Sequence, residues 1–106
     1  MLRRKADFDA IGRHGTVHAN RLLVLRSLQT GGPVTRIGLS TPRTLGGAVQ
    51  RNRVRRRLRD LLRGQPEATG TGWDLLLIAR PASGEASYAE LREAVRSLLE
   101  RSGIGG

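Results

Sequence analysis

The chain has 106 residues, no cysteine, and 19 basic against 9 acidic side chains, for a formal net charge of +10. That length predicts a single domain, 1–106, with a modest core, and zero cysteines exclude a disulfide framework or a thiolate zinc site. The longest unbroken apolar run, residues 75–79, is too short to span a membrane, and Asp7 and Asp9 interrupt the basic start before any signal-peptide core forms. A cytoplasmic protein without membrane contact is expected.

Residues 3–14 carry Phe8 and Ile11 at helical spacing, with Gly15 as a C-cap. A short leading strand is expected over 14–20. The run RLLVLRSL at 21–28 reads as a strand, and Thr30-Gly31-Gly32-Pro33 as a turn. Residues 34–40 alternate as a second strand, expected to pair with the first as a hairpin, and Pro42 ends it. From Ala48 to Arg63 no Gly or Pro interrupts a run of helix formers. The stretch DLLLIAR at 74–80 predicts a strand buried on both faces, with Trp73 plugging the core at its entry. Ser87 and Glu90 form a capping box, Leu91, Val95, Leu98 and Leu99 make one helical face, and Gly103 closes that helix. Helices on a small sheet give an α+β two-layer domain.

The charge is unevenly distributed. Residues 1–66 hold 15 bases and 3 acids, whereas residues 67–106 hold 4 bases and 6 acids. Such asymmetry is the electrostatic footprint of a polyanion partner, above all nucleic acid. Residues 51–63, RNRVRRRLRDLLR, contain seven arginines and one acid. At helical pitch Val54, Leu58, Leu61 and Leu62 form one stripe about 100° wide. Arg51, Asn52, Arg55, Arg56, Arg59 and Arg63 cover the adjoining side, with Arg53 and Arg57 further round. Like charges at i,i+4 disfavour the isolated helix by about 0.2–0.5 kcal/mol each. A polyanion would remove that repulsion, and the guanidinium fork grips phosphate with two parallel hydrogen bonds. Gly46-Gly47 could admit phosphate at the helix start, or form a plain turn. Asn52 is expected to make a helix-start hydrogen bond rather than ligate a metal. His14 and His18 lack a third ligand. No Ser/His/Asp set, paired-carboxylate motif or Walker loop is present, so no catalytic side chains are assigned.

The stretch Gly46-Gly47-Ala48-Val49-Gln50-Arg51-Asn52-Arg53-Val54-Arg55-Arg56-Arg57-Leu58-Arg59 resembles the hallmark helix of the protein component of bacterial ribonuclease P. LRRKADF, HGTVHANR, TRIGLS, DLLLIARP and SYAELREAVRSLL fall in that family's order and spacing. The resemblance implies the order αβββαβα with a left-handed crossover, against the usual right-handed rule. It also implies a protein subunit of an endoribonuclease whose RNA subunit, with bound Mg²⁺, removes the 5′ leader of precursor tRNA. Mg²⁺ is then held mainly by the RNA, the partners are the RNA subunit and precursor tRNA, and no obligate protein partner is expected. Carried over position by position, Arg51, Asn52, Arg53, Arg55, Arg56 and Arg59 match the RNA-contacting helix. Phe8 matches an aromatic on the first helix that lines the leader-binding cleft between that helix and the sheet, and Arg43 matches the first of two basic residues preceding the basic helix and is assigned to the same cleft.

The departures are Thr44 for a second basic residue, Gly47 for the family's Asn, and Gly12 and Arg26 where aromatics are common. Stacking on an aromatic contributes about 1–3 kcal/mol per base. A cleft with Phe8 alone is therefore expected to lean on charge from Arg26, with Arg21 in support. The competing expectation is a structural ribosomal or assembly protein of the same fold.

Overall fold

The computed structural model describes residues 10–12, 14–63 and 72–103. Residues 10–12 and 14 are helical. Strand β1 (Thr16–Ala19), β2 (Leu23–Gln29) and β3 (Arg36–Ser40) follow, then a 3-10 turn (Arg43–Leu45) and helix α1 (Ala48–Arg63). Strand β4 (Trp73–Ala79), a second 3-10 turn (Pro81–Glu85) and helix α2 (Tyr88–Arg101) complete the order.

The four strands form one sheet in the order β1-β2-β4-β3. Strand β2 pairs antiparallel with both β1 and β4, while β3 runs parallel to β4. The expected β2–β3 hairpin is therefore wrong, because β4 inserts between the two. The reason lies in the glycine-rich connection. Thr30 N–H and Gly31 N–H both donate to the Gly72 carbonyl, at 2.7 and 3.3 Å, and Gly72 N–H donates to Val34 at 3.3 Å. The turn thus closes on the residue that leads into β4. Gly72 has φ +83°, and a Cβ there would lie 3.3 Å from the Gly32 carbonyl oxygen, so this junction requires glycine.

Centrality also suits β4, whose apolar run takes strand partners on both sides. Leu75, Leu77 and Ala79 are buried with Leu23 and Leu25 of β2 beneath α1 and α2. On the opposite face Leu76 and Ile78 are only half-buried, so the expectation of full burial on both faces holds for one face alone. Trp73 is half-buried and packs against the core at the start of β4. Ile11 is buried yet stands outside the cluster formed with α1 and α2.

Helix α1 contributes Val54, Leu58 and Leu61 to the core, with half-buried Leu62 packed against it. Helix α2 contributes Leu91, Ala94, Val95, Leu98 and Leu99. Its capping box is complete: Glu90 N–H donates to Ser87 Oγ at 3.1 Å, and Ser87 N–H donates to Glu90 Oε1 at 3.0 Å. Gly103 takes φ +77° just beyond its end. The β1–β2 corner is fastened by Asn20, whose Oδ1 accepts from Leu22 and Leu23 N–H and whose amide donates to the Ala94 carbonyl.

Candidate nucleic-acid interface

Burial of one stripe of α1 fixes what the rest of the helix presents. Asn52, Arg53, Arg56, Arg59 and Arg63 are exposed, while Arg51, Arg55 and Arg57 are half-buried. None of the seven arginines of α1 forms an ion pair among the described residues. The single acid of the helix, Asp60, accepts a hydrogen bond of 2.8 Å from the Tyr88 hydroxyl. That bond is the main reason the phenol pKa lies above its ordinary value of 10.0.

The arginines divide by their partners. Arg55 Nη2 donates to Thr41 Oγ1 at 2.6 Å, and its Nη1 to Asn52 Oδ1 at 3.4 Å. Thr41 directly follows β3, so this bond braces the helix against the strand end. Arg53 Nη2 donates to the Gly84 carbonyl at 3.3 Å, and Arg57 Nη1 to the Ala86 carbonyl at 3.1 Å. Gln50 Nε2 also donates to Gly84, at 3.1 Å. Gln50, Arg53 and Arg57 therefore clamp the backbone around the second 3-10 turn. Sequence reasoning missed this role; the only trace of it was that Arg53 and Arg57 sit further round the helix. Arg51 has a buried Nε without a hydrogen-bond partner.

Asn52 is the fifth residue of α1 and accepts from Arg55, so the expected helix-start bond is not its role. At the true start, Gly47 accepts from Arg51 N–H at 2.9 Å. A Cβ on Gly47 would meet open space, whereas Gly46 at φ +143° is confined to glycine-like backbone. Arg43 is exposed in the 3-10 turn between β3 and α1.

A second basic element lies across the sheet. Alternation along β2 turns Leu23, Leu25 and Ser27 toward the helices and Val24, Arg26 and Leu28 to the opposite face. In the sheet Arg26 stands between Val17 of β1 and Leu76 of β4. A Cβ on Gly12 would lie 4.0 Å from Arg26 Nη1. The two positions where the resemblance leads one to expect aromatics thus meet in space: the guanidinium occupies ground beside the bare glycine. Arg26 Nε is buried without a hydrogen-bond partner. Arg36 is different, since Asp74 accepts from its Nε and Nη2 at 2.9 and 2.6 Å. Arg21, expected to support this cleft, instead reaches Glu90 of α2 at 3.3 Å. Phe8 lies outside the described residues.

His14 is exposed and His18 half-buried. Among the described residues no three His, Cys, Asp or Glu side chains cluster to hold a metal ion. No described helix is long and apolar enough to cross a membrane.

A small helix-on-sheet domain whose guanidinium helix forms no ion pair among the described residues has the build of an RNA-binding protein of the basic-helix kind. Comparison with known proteins narrows the class. The family model for Ribonuclease P matches residues 1–103. The ribonuclease P protein component of Clostridioides difficile is 32% identical over 104 residues, covering 97% of this chain and 91% of the relative. That of Roseiflexus is 36% identical over 104 residues, covering 97% and 85%. The solved RNase P protein of Thermotoga maritima superimposes with a TM-score of 0.85 at 28% identity, covering 94% of each chain. The chain belongs to the ribonuclease P protein family, the protein components of the ribonucleoprotein that matures tRNA 5′ ends.

Proposed function

We propose that α1 docks on the RNA subunit of ribonuclease P and that the opposite face of the sheet holds the 5′ leader of precursor tRNA. The observation that carries this is the absence, among the described residues, of any ion pair to the arginines of α1. Crowded RNA phosphates would neutralise them, and each bound phosphate releases counterions. Arg51, Asn52, Arg55, Arg56 and Arg59 form the contact surface. Arg53 joins it with the N–H donors that its bond to Gly84 leaves free.

For the leader, Arg26 supplies an unpaired charge on a face otherwise lined by Val24, Leu76 and Ile78. Phe8 supplies the stacking surface, and Arg43 a charge at the end of β3. Mg²⁺ belongs mainly to the RNA, whose phosphates are hard oxygen ligands suited to it. This chain's side chains then bind, neutralise and position, and the RNA cuts.

Co-purification followed by RNA sequencing tests the partners: one large structured RNA with tRNA precursors is expected, and recovery of ribosomal RNA alone would overturn the assignment. The leader half is tested with precursor tRNA and its leaderless counterpart. Arg26→Ala is expected to weaken the leader-dependent part of the affinity. A large Phe8→Ala loss with no Arg26→Ala effect would contradict the charge-based cleft.

A further inference from the structure

Beyond the arginine face, the helix layer carries a feature that phosphate binding alone does not explain. Tyr88 is the sole tyrosine of the chain. It opens α2 and remains 38% exposed, while its hydroxyl is bound to Asp60 across the α1–α2 junction. Tyr88 and Asp60 share one open surface depression with Arg56, Arg57, Arg59 and Arg63. A carboxylate amid four guanidinium groups would normally be expected to pair with one of them; here it holds a phenol. The tether fixes the ring's orientation at the surface. Arg57 in turn is fixed by the Ala86 carbonyl, two residues before Tyr88. An oriented aromatic beside free cations is the arrangement that single-stranded nucleic-acid sites use, with a base on the ring and the backbone on the charges.

We propose that Tyr88 is a stacking platform for an unpaired nucleotide of the RNA subunit, with Arg56, Arg59 and Arg63 holding its flanking phosphates. The proposal rests on the partner assignment above. The RNA subunit is the occupant because the depression lies on the helix side of the sheet, across it from Arg26 and the leader face. It is continuous with the arginine surface of α1. Asp60 acts as a positioning residue: it orients Tyr88 and touches no RNA itself.

The test measures affinity of the full chain for the purified RNA subunit, without precursor tRNA, across a salt series. Tyr88→Leu is expected to bind on the order of 10-fold more weakly with an unchanged salt slope, since stacking releases no counterions. Tyr88→Phe and Tyr88→Trp keep a π face but lose the Asp60 tether, and are expected to weaken binding by only about 2- to 3-fold, the share that orientation contributes. Arg56→Gln is expected to lower the slope instead. Thermal melts of each variant separate binding from folding. If Tyr88→Leu binds like the parent, there is no platform. If the Phe, Trp and Leu variants weaken together in step with their melting temperatures, Tyr88 is only a helix tie and the proposal is overturned. A parent chain that does not bind the RNA subunit at all would instead remove the partner assignment.

Discussion

Helices α1 and α2 do the same work for the fold and manage charge in opposite ways. Both bury an apolar stripe on one face of the sheet, with Leu58 and Leu98 each fully enclosed. On α2 all three acids are paired: Arg96 sits between Glu93 and Glu100, the latter at 2.8 Å, and Glu90 meets Arg21, while Arg101 donates to the Ala19 carbonyl. The Arg96 bond holds the Glu93 carboxyl below its usual range. On α1 no arginine meets a described acid, and the one acid of the helix is bound to Tyr88. Packing does not demand this difference, because α2 packs as well with balanced charge. The excess on α1 is therefore not a packing requirement, which supports the proposal that this helix serves a polyanion partner.

The largest effects are expected at the core that the two helices share. Leu58→Ala and Leu98→Ala are each expected to cost about 2–5 kcal/mol of stability in denaturant unfolding. A far smaller loss at Leu58 would mean that α1 is not a core helix. Next comes the charge itself. Arg56→Gln with Arg59→Gln is expected to reduce the salt slope of RNA binding by about 2. Unfolding measurements should find stability unchanged or slightly raised, because i,i+4 repulsion of about 0.2–0.5 kcal/mol per pair is relieved. An unaltered slope would place the RNA elsewhere.

At the capping and ion-paired residues of α2 the effects are smaller and fall mainly on stability. Ser87→Ala should cost about 1 kcal/mol by removing the cap, with the salt slope of RNA binding unchanged. Glu90 in the same capping box is held below its ordinary value of 4.5, first by the Ser87 backbone N–H and then by the Ser87 hydroxyl. A depressed folded-state pKa gives stability that is present above the ordinary value and lost as pH falls through the lowered one. Acid titration of the melting temperature should therefore show a loss below about pH 4.5 that shrinks in Ser87→Ala. Arg96→Gln is the smallest change: about 0.3–0.5 kcal/mol per exposed pair, with no effect on RNA binding.

Local patterns were legible and distant encounters were not. The stripe Val54-Leu58-Leu61-Leu62 and the Ser87/Glu90 box depend on spacings of a few residues, and both stand in the structure. The pairing of β2 with β4 depends on residues some fifty positions apart, and the turn at 30–33 suggested the nearer partner. The clamps from Arg53 and Arg57 to Gly84 and Ala86 were hidden for the same reason. In sequence an arginine bound to a carbonyl looks the same as one left free. Gly12 and Arg26 stand out in the sequence as departures, but only the fold shows that they adjoin. The crossover that carries α1 between the parallel strands β3 and β4 was anticipated through family resemblance, not from composition or spacing.

Whether α1 is a polyanion-binding surface is decided by the salt dependence of affinity for the RNA subunit. With about six phosphates engaged, log affinity should fall against log salt with a slope of roughly −5. A slope of roughly −1 would contradict the claim, for it would leave most of the arginines of α1 without phosphates to neutralise them.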